Sequence, residues 1–176
     1  MKTVVLGSVP PEIEAMIEHR HATGADLFDE VWEGEYHMAP APHGAHGRLE
    51  WEMAVILRPL AQRAGLYDTG PFNLGEPTDY RVPDAGLHRT SKTATWNPTA
   101  ALVVEIVSPD DETWAKLPFY AAHHADEVVI VDPQDRRVTW LVRVGERYEP
   151  TEQSTLLDVA TADIAGQIDW PSIDAD

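Results

Sequence analysis

Asp84, Glu105 and Lys116 are the side chains whose types and setting could most readily do chemistry together. Glu105 lies inside the apolar run Leu102-Val103-Val104-Glu105-Ile106-Val107, and a carboxylate is seldom buried without a partner. Asp84 follows Pro83 in a short extended stretch, "YRVPDAGL". If the two segments are neighbouring strands, their carboxylates converge at one end of a sheet. At about 5 Å and an effective dielectric of about 20 they repel by roughly 3 kcal/mol, which raises the pKa of one of them. A bound divalent cation removes the conflict. Oxygen donors favour Mg²⁺ or Mn²⁺, and the backbone carbonyl of Ile106 is a further ligand in the same segment. Such an ion activates water and polarises a phosphoryl oxygen. Lys116, on the helix that follows, would steady the developing negative charge. Each residue alone has a plainer reading: Asp84 as a turn former, Lys116 as a solvated helix lysine.

A different chemistry is offered by His37, His43 and His46, which together could hold a transition metal in a histidine-ligated hydrolase. The chain has no cysteine, which excludes disulfides and thiolate metal sites. No phosphate-binding loop, dinucleotide fingerprint, nucleophile elbow or zinc-protease motif is present.

The elements that must position these residues follow from periodicity. Residues 10–22 read as a short helix with Pro10 and Pro11 at its start and Ile13, Met16 and Ile17 on one face. "DEVWEGEYHMAP" reads as a hairpin turning at Glu33-Gly34. A long amphipathic helix follows, with Leu49, Met53, Ile56, Leu57, Leu60 and Ala64 on one stripe and Gly65 closing it. Residues 66–90 are strand-like pieces broken by Gly and Pro, and 91–99 read as a loop. The apolar strand at 101–107 leads into a helix over about 112–123, interrupted or started by Pro118. "EVVIVDP" and "RVTWLVRVGERYEP" give the closing strands, with a turn at Gly145. The order predicts an α/β fold with a mixed central β-sheet flanked by helices, a single domain over 1–176 with its core at about 25–160. The N-terminal helix and a weakly patterned tail from about 161 are expected at the periphery.

Thirty acidic residues against thirteen basic ones give a net charge of −17. That argues against a broad phosphate-binding surface and suits divalent cations. The six tryptophans have no interleaved basic stripe and read as core or half-buried packing. No apolar run approaches a membrane span and the N-terminus lacks the pattern of a signal peptide, so a cytoplasmic protein is expected.

"PD" at 83–84, "VEIVSP" at 104–109 and "AKLPFYAAHHADEVVIVDP" at 115–133 resemble the putative restriction endonuclease family of bacterial proteins, within the PD-(D/E)XK nuclease superfamily. "WEGEYHMAPAPHGAH" and "RVTWLVRVGERYEP" resemble the hairpin and closing strands of that family, so the likeness runs from about 29 to 160. It implies a restriction-endonuclease-like fold, with Asp84 and Glu105 as metal carboxylates and Lys116 as the lysine moved onto the next helix. The superfamily usual position, two residues after the acid, is Val107 here. Tyr120, one turn past Lys116, also fits. The likeness makes Glu50 an extra ligand candidate and His46, four residues earlier on the same helix face, a phosphate contact or proton carrier. Glu35 in the hairpin is a weaker candidate. Where the family carries basic residues after Ser-Pro, this chain has Asp110, Asp111 and Glu112, and Glu112 is expected to pair with Lys116 across one helical turn.

The leading expectation is a Mg²⁺-dependent nuclease acting on DNA through metal-activated water, and as a homodimer if it cuts duplexes. Two alternatives stand beside it: a catalytically inactive binding or regulatory module on the same fold, and the histidine-ligated hydrolase.

Overall fold

Five consecutive residues, Leu102–Ile106, are all buried, as befits a strand of mostly β-branched and aliphatic side chains covered on both faces. The computed structural model describes residues 3–5 (backbone only), 9–39, 44–92, 94–108 and 112–172. In chain order the elements are β1 (Thr3–Val5), α1 (Pro11–Thr23), β2 (Glu30–Trp32), β3 (Glu35–Met38), α2 (Gly44–Arg63), β4 (Tyr67–Thr69), β5 (Asn73–Glu76), β6 (Asp79–Arg81) and β7 (Ala85–His88). They continue with β8 (Trp96–Asn97), β9 (Leu102–Ile106), a 3₁₀ turn (Thr113–Lys116), α3 (Leu117–Ala122), β10 (Glu127–Asp132), β11 (Arg137–Val144), β12 (Arg147–Thr151), β13 (Gln153–Ser154), β14 (Val159–Ala160) and α4 (Thr161–Ala165).

The main sheet is mixed, in the order β12-β11-β10-β9-β7-β4. β9 runs parallel to β10 and antiparallel to β7, with Ala85 opposite Val104. A second six-stranded sheet, β1-β3-β2-β6-β5-β8, is built from the hairpin and the Gly/Pro-broken pieces. The expected mixed central sheet is the one that carries β9; the short segments at 73–81 pair with the hairpin in the second sheet, Val31 opposite Tyr80.

Alternation along β9 sends Val104 and Ile106 toward α2 and Val103 toward α3. The α2 side gathers Leu49, Met53, Ile56, Leu57, Leu60 and Ala61 against the sheet. Ala61 is buried in place of Ala64, which faces out. Gly65 at φ 69° ends α2 in the left-handed conformation that glycine adopts without strain. Pro118 sits in the first turn of α3, where its missing amide costs no helical bond. Gly86 lets β7 pass against Phe72, because a Cβ there would lie 2.5 Å from the ring.

The two segments expected at the periphery behave differently from each other. α1 buries none of its residues; Ile13 and Ile17 are half-covered and Met16 is exposed. Its tie to the body is polar, Arg20 pairing with the buried Asp29 at 2.6 Å. The tail, by contrast, sends Leu157, Ile164 and Ile168 into the main core. It is clamped there by buried Glu127, which accepts hydrogen bonds from Trp140 Nε1, Ser154 Oγ, Thr155 N and Oγ1, and Leu156 N. The acidic end, 173–176, lies outside the described residues.

Candidate active site

Asp84 is placed by the main chain of β9. Its amide donates to the carbonyl of Val104 at 3.1 Å, and its Oδ2 accepts the Ile106 amide at 2.6 Å. Glu105 is the residue between those two contacts, so the aspartate and the glutamate stand at the same end of adjacent strands. They are nevertheless engaged by different cations.

On the α2 side, His46 Nε2 lies 3.0 Å from Asp84 Oδ1 and 3.3 Å from Glu50 Oε1, while its Nδ1 is 2.9 Å from Ser108 Oγ. Burial opposes a charge on this imidazole, but the bonds and charges of Asp84 and Glu50 outweigh it and raise the pKa to about 10. The His46–Glu50 spacing is the one-turn pair that a helix stacks on one face.

On the α3 side, Lys116 is buried with its Nζ 2.8 Å from Glu30 Oε1 and 3.3 Å from Glu105 Oε1. The Tyr120 hydroxyl donates a short hydrogen bond to the same Glu105 oxygen. Burial raises the pKa of Glu105, the Lys116 charge pulls it back, and Asp84 and Glu30 push it up again; the net direction is up. For Lys116 burial favours the neutral amine, but the charges of Glu105 and Glu30 prevail and hold it protonated. Tyr120 is driven well above the phenol value by burial and by the same two carboxylates, so it stays a donor.

Glu30 is the member that the sequence reading missed. It accepts Trp32 Nε1 at 2.7 Å and the Val82 amide at 2.9 Å, which fixes its carboxylate beside Lys116. The signal was available in the hairpin: period-two alternation puts Glu30 and Trp32 on one face of β2, and a charge on a face with an aromatic points inward. Glu35, the hairpin acid that was singled out, is exposed. It lines a separate groove with Trp32, His37, Arg81 and Glu112.

Glu112 does not pair with Lys116. Its Oε2 lies 3.6 Å from His37 Nδ1, while the Lys116 side chain turns inward to Glu30 and Glu105. His37 stacks on Trp32 at 4.6 Å and His46 serves Asp84, so these two histidines are committed to different partners. His43, Asp110 and Asp111 lie outside the described residues.

Among the described residues, His46, Glu50 and Asp84 have donor atoms that all lie within 4.8 Å of one another, as a shared metal ion would require. Glu50 Oε1 is buried without a well-formed hydrogen bond, an acceptor that a cation would satisfy. Two carboxylates and an imidazole suit a hard to borderline dication such as Mg²⁺ or Mn²⁺. Glu105 is outside this group, its Oε1 taken by Lys116 and Tyr120.

Asp84, just before β7, and Glu105, on β9, stand at one end of the mixed sheet, with Lys116 buried beside the glutamate. The sequence profile of the Uma2 family, described as "Putative restriction endonuclease", matches residues 17–170, and the chain belongs to that family. A crystal structure of a putative nuclease of DUF820 from Anabaena variabilis shares the fold at a TM-score of 0.63 and 15% identity, over 79% of this chain and 90% of that one. No curated protein gives a significant match.

Proposed function

We propose that the protein is a metal-dependent nuclease that hydrolyses DNA phosphodiester bonds with Mg²⁺ or Mn²⁺. The observation that carries this reading is the hydrogen bond from the Ile106 amide to Asp84, which fastens the aspartate one residue from Glu105 and beside the His46–Glu50 pair. Asp84 and Glu50, whose oxygens converge beside His46, would hold the ion; Glu105, its Oε1 taken by Lys116 and Tyr120, would join through its other oxygen, with the Ile106 carbonyl as a further donor. When bound, the ion supplies a lowered water pKa and polarisation of the phosphoryl group. The chain's own residues do the remainder. Lys116 Nζ, fixed between Glu30 and Glu105, would lend its positive charge to the site from behind Glu105. Tyr120 holds Glu105 in position through its hydroxyl. His46 Nε2 is within reach of both Asp84 and Glu50 and is able to carry a proton at that atom. Family membership supports a nucleic-acid substrate. A protein that cut both strands of a duplex would need two such sites, and with them a homodimer; the cytoplasm is the expected compartment.

The test is cleavage of supercoiled and single-stranded DNA with Mn²⁺ by wild type, Asp84→Asn and Glu105→Gln. Loss of activity in both variants, with melting temperatures near wild type, supports the proposal. Equal cleavage by all three sinks it.

A further inference from the structure

The outer face of α2 breaks the rule that aromatics pack inward. Trp51 is 75% exposed and Val55, one turn on, is 61% exposed. Trp51 directly follows Glu50, and the two line one groove with Asp84, Met53, Leu57, Arg58, Pro71 and Gly86. The groove encloses about 360 Å³, large enough for a planar heterocycle. Glu50 and Asp84 of the candidate active site line it, and most of its exposed lining is apolar. Among the described residues Arg58 is the single cation lining it, and its guanidinium lies 3.9 Å from Asp68.

This is a poor surface for gripping a phosphate backbone. With three acids and one paired arginine along the groove, counterion release contributes little to affinity. An exposed indole beside a hydrolytic site supplies the alternative means of holding a nucleic acid, the stacking of an unpaired base. A base inside a duplex is already stacked on its neighbours and offers no free face.

We infer that Trp51 is a stacking platform for an unpaired base next to the scissile phosphate, so that the substrate is single-stranded or locally unpaired nucleic acid. The inference rests on the nuclease reading of the same site. Stacking on one aromatic is worth about tenfold or more in affinity. Because few phosphates are neutralised, the log of the association constant should fall with log salt at a slope of about −1 or shallower.

The test measures anisotropy of labelled phosphorothioate oligonucleotides, roughly 12 nucleotides long to fit single-strand sites, with Mn²⁺ present. The probes are an ordinary single strand, an abasic single strand and a duplex, against wild type, Trp51→Phe and Trp51→Ala. Expected are tighter binding of the ordinary strand than of the abasic strand or duplex, a loss of about tenfold in Trp51→Ala, and retention of most affinity in Trp51→Phe. Unchanged affinity in Trp51→Ala, equal binding of abasic and ordinary strands, or no binding of any strand overturns the inference. A parallel cleavage assay on ordinary single strands separates the two claims. Binding through Trp51 without any cleavage defeats the nuclease reading alone; cleavage that Trp51→Ala leaves intact defeats the stacking platform alone.

Discussion

Replacing Lys116 by methionine removes a cation that faces both Glu30 and Glu105. The side chains of these three residues are all nearly inaccessible to solvent, so water cannot take over the screening. Breaking a buried ion pair by deleting one partner costs about 3–5 kcal/mol, and methionine fills most of the volume, so cavity effects stay small. For a chain of this size that lowers the melting temperature by roughly 6–20 °C. The deficit has a pH signature. Without Lys116 only the Tyr120 hydrogen bond still opposes the upward push of burial on Glu105, so its folded pKa rises further above its unfolded one. The folded state then binds more protons than the unfolded state between those two values, and stability falls as pH rises through that window. Thermal melts of Lys116→Met and wild type at pH 5.5 and 8 would show a gap that widens at the higher pH. Adding Glu30→Gln and Glu105→Gln to Lys116→Met should recover much of the loss. A melting temperature within a degree of wild type at both pH values would refute the buried countercharge.

Other perturbations read other parts of the fold. Glu127→Ala strands five donors in and beside the tail and should destabilise by about 3 kcal/mol or more, with hydrogen exchange rising first at residues 154–157. Gly86→Ala forces a methyl against Phe72 and should cost about 1–3 kcal/mol in urea melts. His88 is half-buried edge-on to Phe72, and burial lowers its pKa. Its contribution to stability is therefore present above the unfolded histidine pKa and fades as pH falls below it, so His88→Asn should flatten the acid side of the stability profile. Mn²⁺ should raise the melting temperature of wild type in proportion to its binding, and Asp84→Asn should abolish that shift, as followed by differential scanning fluorimetry.

The hairpin, the long helix and the central strand were legible because each has a strong period and clear punctuation: Glu33-Gly34, Gly65, and an unbroken apolar run. The adjacency of the Asp84 segment and β9 was a condition of the sequence reading, and the pairing of β7 with β9 meets it. What could not be read depends on contacts far apart in sequence. Lys116 finds Glu30, 86 positions upstream, rather than Glu112, because the second sheet brings the hairpin onto the α3 face. The tail has no period, yet Glu127 gathers its amides and hydroxyls and its apolar residues follow. Trp51 misleads in the other direction, since composition favours burying tryptophan and only the stripe of α2 shows that position 51 faces out.

The internal pairing of Asp84 with His46 and of Glu105 with Lys116 sets what chelation will do. In small metalloproteins whose ligands are bare anions, stripping the ion collapses the structure. Here each anion already has a neighbour of opposite sign drawn from the chain itself. EDTA should therefore silence the protein without melting it, and restoring the ion should return function with no refolding step.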